Sequence, residues 1–112
     1  MKASILRKID LLRDIVVDDR WDEVVGAALD YLLSYEQAKL GGELDITRQH
    51  LEGFEKKYGM DAREFLRKYE SGSLEDRKDF LEWFVLLSLE VSLDKKLRHV
   101  DAVVGDAAVK NV

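Results

Sequence analysis

The chain holds two histidines, His50 and His99, the side chains that titrate near neutral pH and most readily ligate metals. Neither stands in an HExxH run or has a second histidine at helical spacing. Each reads as an ordinary surface residue near a carboxylate: Glu43 or Asp45 for His50, Asp101 for His99. The pairs Asp18/Asp19, Asp22/Glu23 and Glu75/Asp76 could in principle divide acid and base roles. Each also falls where a helix N-terminus favours negative charge, and capping accounts for them. The sequence has no Glu-x-x-His pair for a di-metal bundle, no GxSxG elbow, no phosphate loop and no dinucleotide glycine fingerprint. With no cysteine there is no thiolate nucleophile, thiolate metal site or disulfide framework. No catalytic, metal or cofactor residue can be named, and an enzyme is not expected.

Two constellations point to contact instead of reaction. Residues 54–69 have a helix, glycine turn, helix outline, which would set Arg63, Arg67 and Lys68 towards a DNA groove. Asp61 and Glu64 at the start of the reading helix would then face phosphates, and two packed helices joined by a glycine turn describe the run as well. The second constellation is residues 80–93, with ten apolar positions in fourteen. Phe80, Trp83, Phe84, Leu87 and Val91 make one helical stripe, and Leu86, Leu89, Leu93 and Leu97 make another pointing away from it. A helix with two stripes needs cover on two sides. The aromatic stripe reads as core. The leucine stripe either packs on the chain's first two helices or forms a subunit interface.

The elements that place these residues read as helices throughout, since there is no proline and few β-branched runs. Ser4 is the expected cap of a first helix carrying Ile5, Ile9, Leu12 and Val16. Asp18-Asp19-Arg20 makes a turn, and Asp19 caps a second helix over 21–40 with Trp21, Val25, Ala28, Leu32 and Tyr35 on one face. Gly41-Gly42 ends it, and Asp45 or Thr47 caps a third helix with Leu51, Phe54 and Tyr58. Gly59 suits a left-handed turn, and Asp61-Ala62-Arg63-Glu64 has the capping-box form that opens a fourth helix, which Gly72 stops. Ser73-Leu74-Glu75-Asp76 caps a long fifth helix reaching about Val100, with a loose tail from about Val103. The expected fold is an all-α bundle of about five helices, one single domain over 1–112.

The 112 residues are 46% apolar and 37% charged, which places the chain among globular proteins. The net charge of −5 is spread evenly: residues 1–59 hold 9 Lys/Arg and 12 Asp/Glu, and residues 60–112 hold 9 and 11. Without a basic half, a phosphate-driven grip on nucleic acid is disfavoured. No apolar run approaches the ~20 residues of a membrane span, and the first residues lack a signal core, so a cytoplasmic location is expected. Interleaved charges, no proline and few amides lean towards heat tolerance.

The run Phe54-Glu55-Lys56-Lys57-Tyr58-Gly59-Met60, then Phe65, Lys68-Tyr69-Glu70-Ser71-Gly72-Ser73-Leu74 and Asp79-Phe80-Leu81-Glu82-Trp83, resembles a pattern in small prokaryotic helical proteins. Some of these are regarded as antitoxin-like partners of TumE-type toxins encoded beside them. The likeness covers about residues 51–97 and departs from the pattern at Ser73 and Arg77-Lys78. It implies a non-enzymatic interaction module that masks a small, toxin-like protein, and it assigns no individual residue a role. The expectation is therefore a homo-oligomer, a dimer, that works by protein–protein contact through Leu86, Leu89, Leu93 and Leu97. The alternatives are a DNA binder using Arg63, Arg67 and Lys68, or a homo-oligomeric helical protein without such a partner.

Overall fold

The computed structural model describes residues 1–17 and 23–110, and every regular element among them is a helix. There are four: α1 (Lys2–Val17), α2 (Glu23–Tyr58), α3 (Ala62–Glu70) and α4 (Lys78–Lys110). The chain forms two compact units, Met1–Leu33 and Ser34–Val112. The expected turn at Asp18-Asp19-Arg20, the Asp19 cap and Trp21 lie outside the described residues.

The C-terminal unit is built on the antiparallel pairing of α2 with α4. Gln37 reaches Asp101, Arg48 reaches Glu90 and Lys57 reaches Asp79, so the pairing runs inward from both ends. The face of α2 turned to α4 carries Leu40, Leu44, Thr47, Leu51, Phe54 and Tyr58, a single helical stripe. At one end of the pair Leu40, Leu44 and Leu93 are buried together, with Leu97 and Val100 against them. At the other end Leu51, Phe65, Phe80 and Trp83 form a cluster of mostly aromatic side chains. Phe65 and Trp83 are both wholly buried and stack at 4.0 Å between ring centroids with an 8° interplanar angle. Phe54 stacks on Trp83 at 5.7 Å, and Tyr69 on Phe84 at 4.9 Å. Offset rings of this kind add about 0.5–1.5 kcal/mol each beyond their area burial. The Trp83 indole N–H has no hydrogen-bond partner in this cluster, and its position there rests on packing alone.

The second and third expected helices are one. Gly41-Gly42 does not stop α2, because the apolar stripe continues in phase from Leu40 through Leu44 to Leu51 and all three are buried. Two interior glycines cost about 1 kcal/mol each relative to alanine, less than the burial of three leucines contributes at about 1.5–3 kcal/mol apiece. Thr47 consequently does not act as a cap. It is buried inside the helix and donates its hydroxyl to the Glu43 carbonyl at 2.8 Å, one turn back. Asp45 is likewise an interior, exposed position.

The stops and starts further on follow local chemistry. Gly59 takes φ +64° just after α2, with its N–H on the Glu55 carbonyl, and Met60 packs on the aromatic cluster. Asp61 caps α3 by accepting from the Glu64 N–H at 2.8 Å. At the far end Gly72 (φ +74°) and Ser73 donate to the Tyr69 and Lys68 carbonyls, the double closure of a Schellman motif. That closure engages Ser73, which therefore cannot open the last helix as expected. Its hydroxyl instead pairs with Ser71, and α4 begins five residues later at Lys78. Ser4 is not a cap either: α1 starts at Lys2, and the Ile5 N–H already bonds the Met1 carbonyl. α4 continues beyond Val100, through the stretch from Val103 expected to be a loose tail, as far as Lys110.

In the N-terminal unit no described apolar side chain is buried. Ile5, Leu6, Ile9, Leu11, Val16, Val24, Tyr31 and Leu32 are all exposed.

Candidate interaction surfaces

The titratable residues gather into one notable group, where the end of α2 meets the start of α4. Lys57 Nζ and the Tyr58 hydroxyl both donate to Oδ2 of Asp79, in the first turn of α4. The hydrogen bond from Lys57, then that from Tyr58, hold the Asp79 carboxyl below its ordinary range. The same bond to Asp79 raises the Lys57 ammonium. A carboxylate so stabilised in its charged form is a poor general acid, and this cluster clamps two helix ends together. His50 is exposed on α2 and His99 is exposed on α4. Among the described residues no group of three or more His, Asp or Glu lies together as metal ligands.

The three cations of the helix-turn-helix outline do share α3. Arg63 and Arg67 are exposed, while Lys68 is partly covered and pairs with Glu64 at 3.2 Å. Phe65 on the same nine-residue helix is sealed against Trp83, so α3 lies flush in the unit as part of its core wall. Beside it, Lys56 pairs with Glu52 and Lys57 with Asp79. Carboxylates therefore stand among the cations that a phosphate backbone would meet.

The leucine stripe of α4 is divided. Leu86 packs on the aromatic cluster, Leu93 is buried beside Leu40 and Leu44, and Leu97 packs on that second cluster. Only Leu89 of the four is exposed, at 42%. Three of the four residues expected at a subunit contact thus pack within the chain's own clusters, Leu93 buried and Leu86 and Leu97 partly covered. On α2, Leu32 and Tyr35 of the expected apolar face are exposed, and the buried line passes through Leu40 and Leu44. Beyond the clusters, a groove of ≈ 950 Å³ runs between α2 and α4 over Leu40, Leu93 and Val100, rimmed by Glu36, Lys39 and His99.

The surface that sequence reasoning missed is the N-terminal unit. Ile5, Ile9, Leu12 and Val16 form a helical stripe as expected, but Ile9 is 53% exposed and Tyr31 72%. All four phenylalanines lie beyond residue 50, and the aromatic side chains of 1–33 are Trp21 and Tyr31 alone. Among the described residues no helix is long and apolar enough to cross a membrane. The chain matches no family model, no curated protein and no solved structure.

Proposed function

We propose that this protein is a non-enzymatic protein-interaction module, antitoxin-like in that an acidic helical chain binds and masks a small partner protein. Its docking element is the unit Met1–Leu33, and Ser34–Val112 is the folded body that carries it. The supporting observation is the contrast in burial: the C-terminal unit has two clusters of buried apolar side chains, whereas no described apolar side chain of the N-terminal unit is buried and Ile5, Ile9, Val24 and Tyr31 are exposed. A chain of about 40 residues or fewer seldom folds on its own core, and docking on another protein supplies the missing cover. The net charge of −5 favours a basic partner by steering, and a cytoplasmic setting accords with a chain free of cysteine.

The test is co-expression of the full chain with the product of the adjacent gene, followed by light scattering of what elutes. A hetero-complex that Ile9→Glu abolishes, with helicity retained, is the expected result. A complex indifferent to Ile9→Glu would move the docking site away from the N-terminal unit. No complex with the neighbour would remove the antitoxin-like reading.

A further inference from the structure

The α2–α4 pair has two unlike sides. Around each helix, counted from the buried Leu40 and Leu93 at about 100° per residue, Gln37, Arg48, Glu90, Asp94 and Asp101 lie about 60–100° to one side. These residues tie the two helices together, and α3 lies with them, since Ala62 lines one cavity with Arg48 and Glu90. The other side carries the groove over Leu40, Leu93 and Val100. Glu36 and Glu43 stand on its α2 rim, about 40–60° from Leu40, with Lys39 outside them. Lys96 stands on its α4 rim, about 60° from Leu93, with Lys95 and His99 outside it. Among the described residues none of these Glu and Lys side chains is in an ion pair, so the groove holds opposite charges apart. Ile46 on α2 and Leu81, Val85 and Val103 on α4 turn to the same side, and all four are exposed.

We infer that this side is closed by the same side of a second copy of the chain, with α2 of each protomer lying antiparallel on α4 of its partner. The inference goes beyond the docking of Met1–Leu33 and does not rest on it. A two-fold axis along the helix pair keeps every residue at its own height and exchanges the two rims. The ties Gln37–Asp101 and Arg48–Glu90 fix the register within one chain and put Glu43 level with Lys95 and Lys96, and Ile46 level with Ser92. Glu43 of each copy then meets Lys96 of the other, so the charges that cannot meet across the groove meet across the axis. An axis crossing the pair would instead lay α4 on α4 and oppose Lys95 and Lys96 to their own copies. A partner of a single sign would satisfy one rim and leave the other unpaired. About half of residues 35–57 and 81–103 turn to this side, about 23 in all, within the roughly 20–30 that a stable interface takes from each partner.

The test uses the full chain. Light scattering of the purified protein is expected to give twice the 12.9 kDa chain mass, and Val85→Glu, at an exposed site, is expected to give monomer with unchanged helicity. Glu43→Lys and Lys96→Glu are each expected to raise the dimer dissociation constant at least tenfold. An equimolar mixture of those two proteins is expected to recover the dimer, because in the mixed pair a lysine faces a glutamate at both contacts. A monomer mass for the wild type overturns the inference and leaves the groove to another protein. A dimer that Val85→Glu leaves intact has its interface elsewhere and also overturns it. Charge variants that dimerise like the wild type, or that stay monomeric on mixing, overturn the pairing of α2 with α4. A hetero-complex with the neighbouring gene's product that Ile9→Glu abolishes is compatible with every one of these results, so the two readings fail separately.

Discussion

The two units of this chain use the same helical periodicity for different ends. In Ser34–Val112 the stripes of α2 and α4 meet, and their side chains are buried down to the fully enclosed Trp83 and Phe65. In Met1–Leu33 stripes of equal regularity stay open to solvent. The C-terminal unit is closed by aromatic packing and a tight corner. It holds all four phenylalanines, and the positive-φ glycines Gly59 and Gly72 bracket α3 where the chain folds α4 back on α2. Periodicity therefore says which face of a helix is apolar, and bulk and turns decide whether the same chain covers it.

Substitutions test that contrast in order of expected effect. Trp83→Ala and Phe65→Ala should each destabilise the C-terminal unit by about 3–5 kcal/mol, measured by urea denaturation with near-ultraviolet circular dichroism. Trp83→Phe should cost less than Trp83→Ala, because it keeps most of the ring packing and removes a buried donor with no acceptor. Leu93→Ala should cost about 2–5 kcal/mol, whereas Leu89→Ala, at an exposed site one turn away, should stay within about 0.5 kcal/mol. Equal effects for the two leucines would mean that the α2–α4 register is not as described.

Smaller effects sharpen the comparison. Gly41→Ala and Gly42→Ala should each stabilise by about 0.5–1 kcal/mol, since an added Cβ at either position meets nothing within 4 Å. Destabilisation by both would restore the break in α2 that the sequence suggests. Gly59→Ala, at φ +64°, should destabilise by about 1–2 kcal/mol. Asp79 gives the smallest signal and one with a definite sign. Its carboxyl is held below the ordinary value, so its contribution is present above that value and is lost as pH falls through the lower folded one. Melting temperatures of the wild type and Asp79→Asn should differ near neutral pH and converge as the pH approaches about 2.

Local signals were legible wherever one short segment decides the outcome. Gly59, the Asp61–Glu64 cap and Gly72 are where the residue types put them, because φ > 0 and an unpaired N–H are satisfied within four residues. Gly41-Gly42 and Ser73 were misread for the opposite reason. The glycines are overruled by leucines that pack on a helix some fifty residues downstream, and Ser73 by the closure of the preceding helix. Leu86, Leu93 and Leu97 fit either an intrachain face or a subunit face by spacing alone, and in the fold they pack, fully or partly, on the two clusters. Ile5 and Ile9 keep the helical spacing that the sequence shows, and each is 53% exposed.

The antiparallel pairing of α2 with α4 also fixes an order of assembly. Its ties span 22 residues at Lys57 and Asp79, 42 at Arg48 and Glu90, and 64 at Gln37 and Asp101. Each doubling of a loop adds about 0.6 kcal/mol of closure entropy, so the pair closes like a zipper from the α3 corner outward. The aromatic cluster at that corner is then the nucleus, and the leucines at the open end lock afterwards. Substitution at Phe65 or Phe80 would slow folding, and substitution at Leu40 or Leu93 would mainly hasten unfolding.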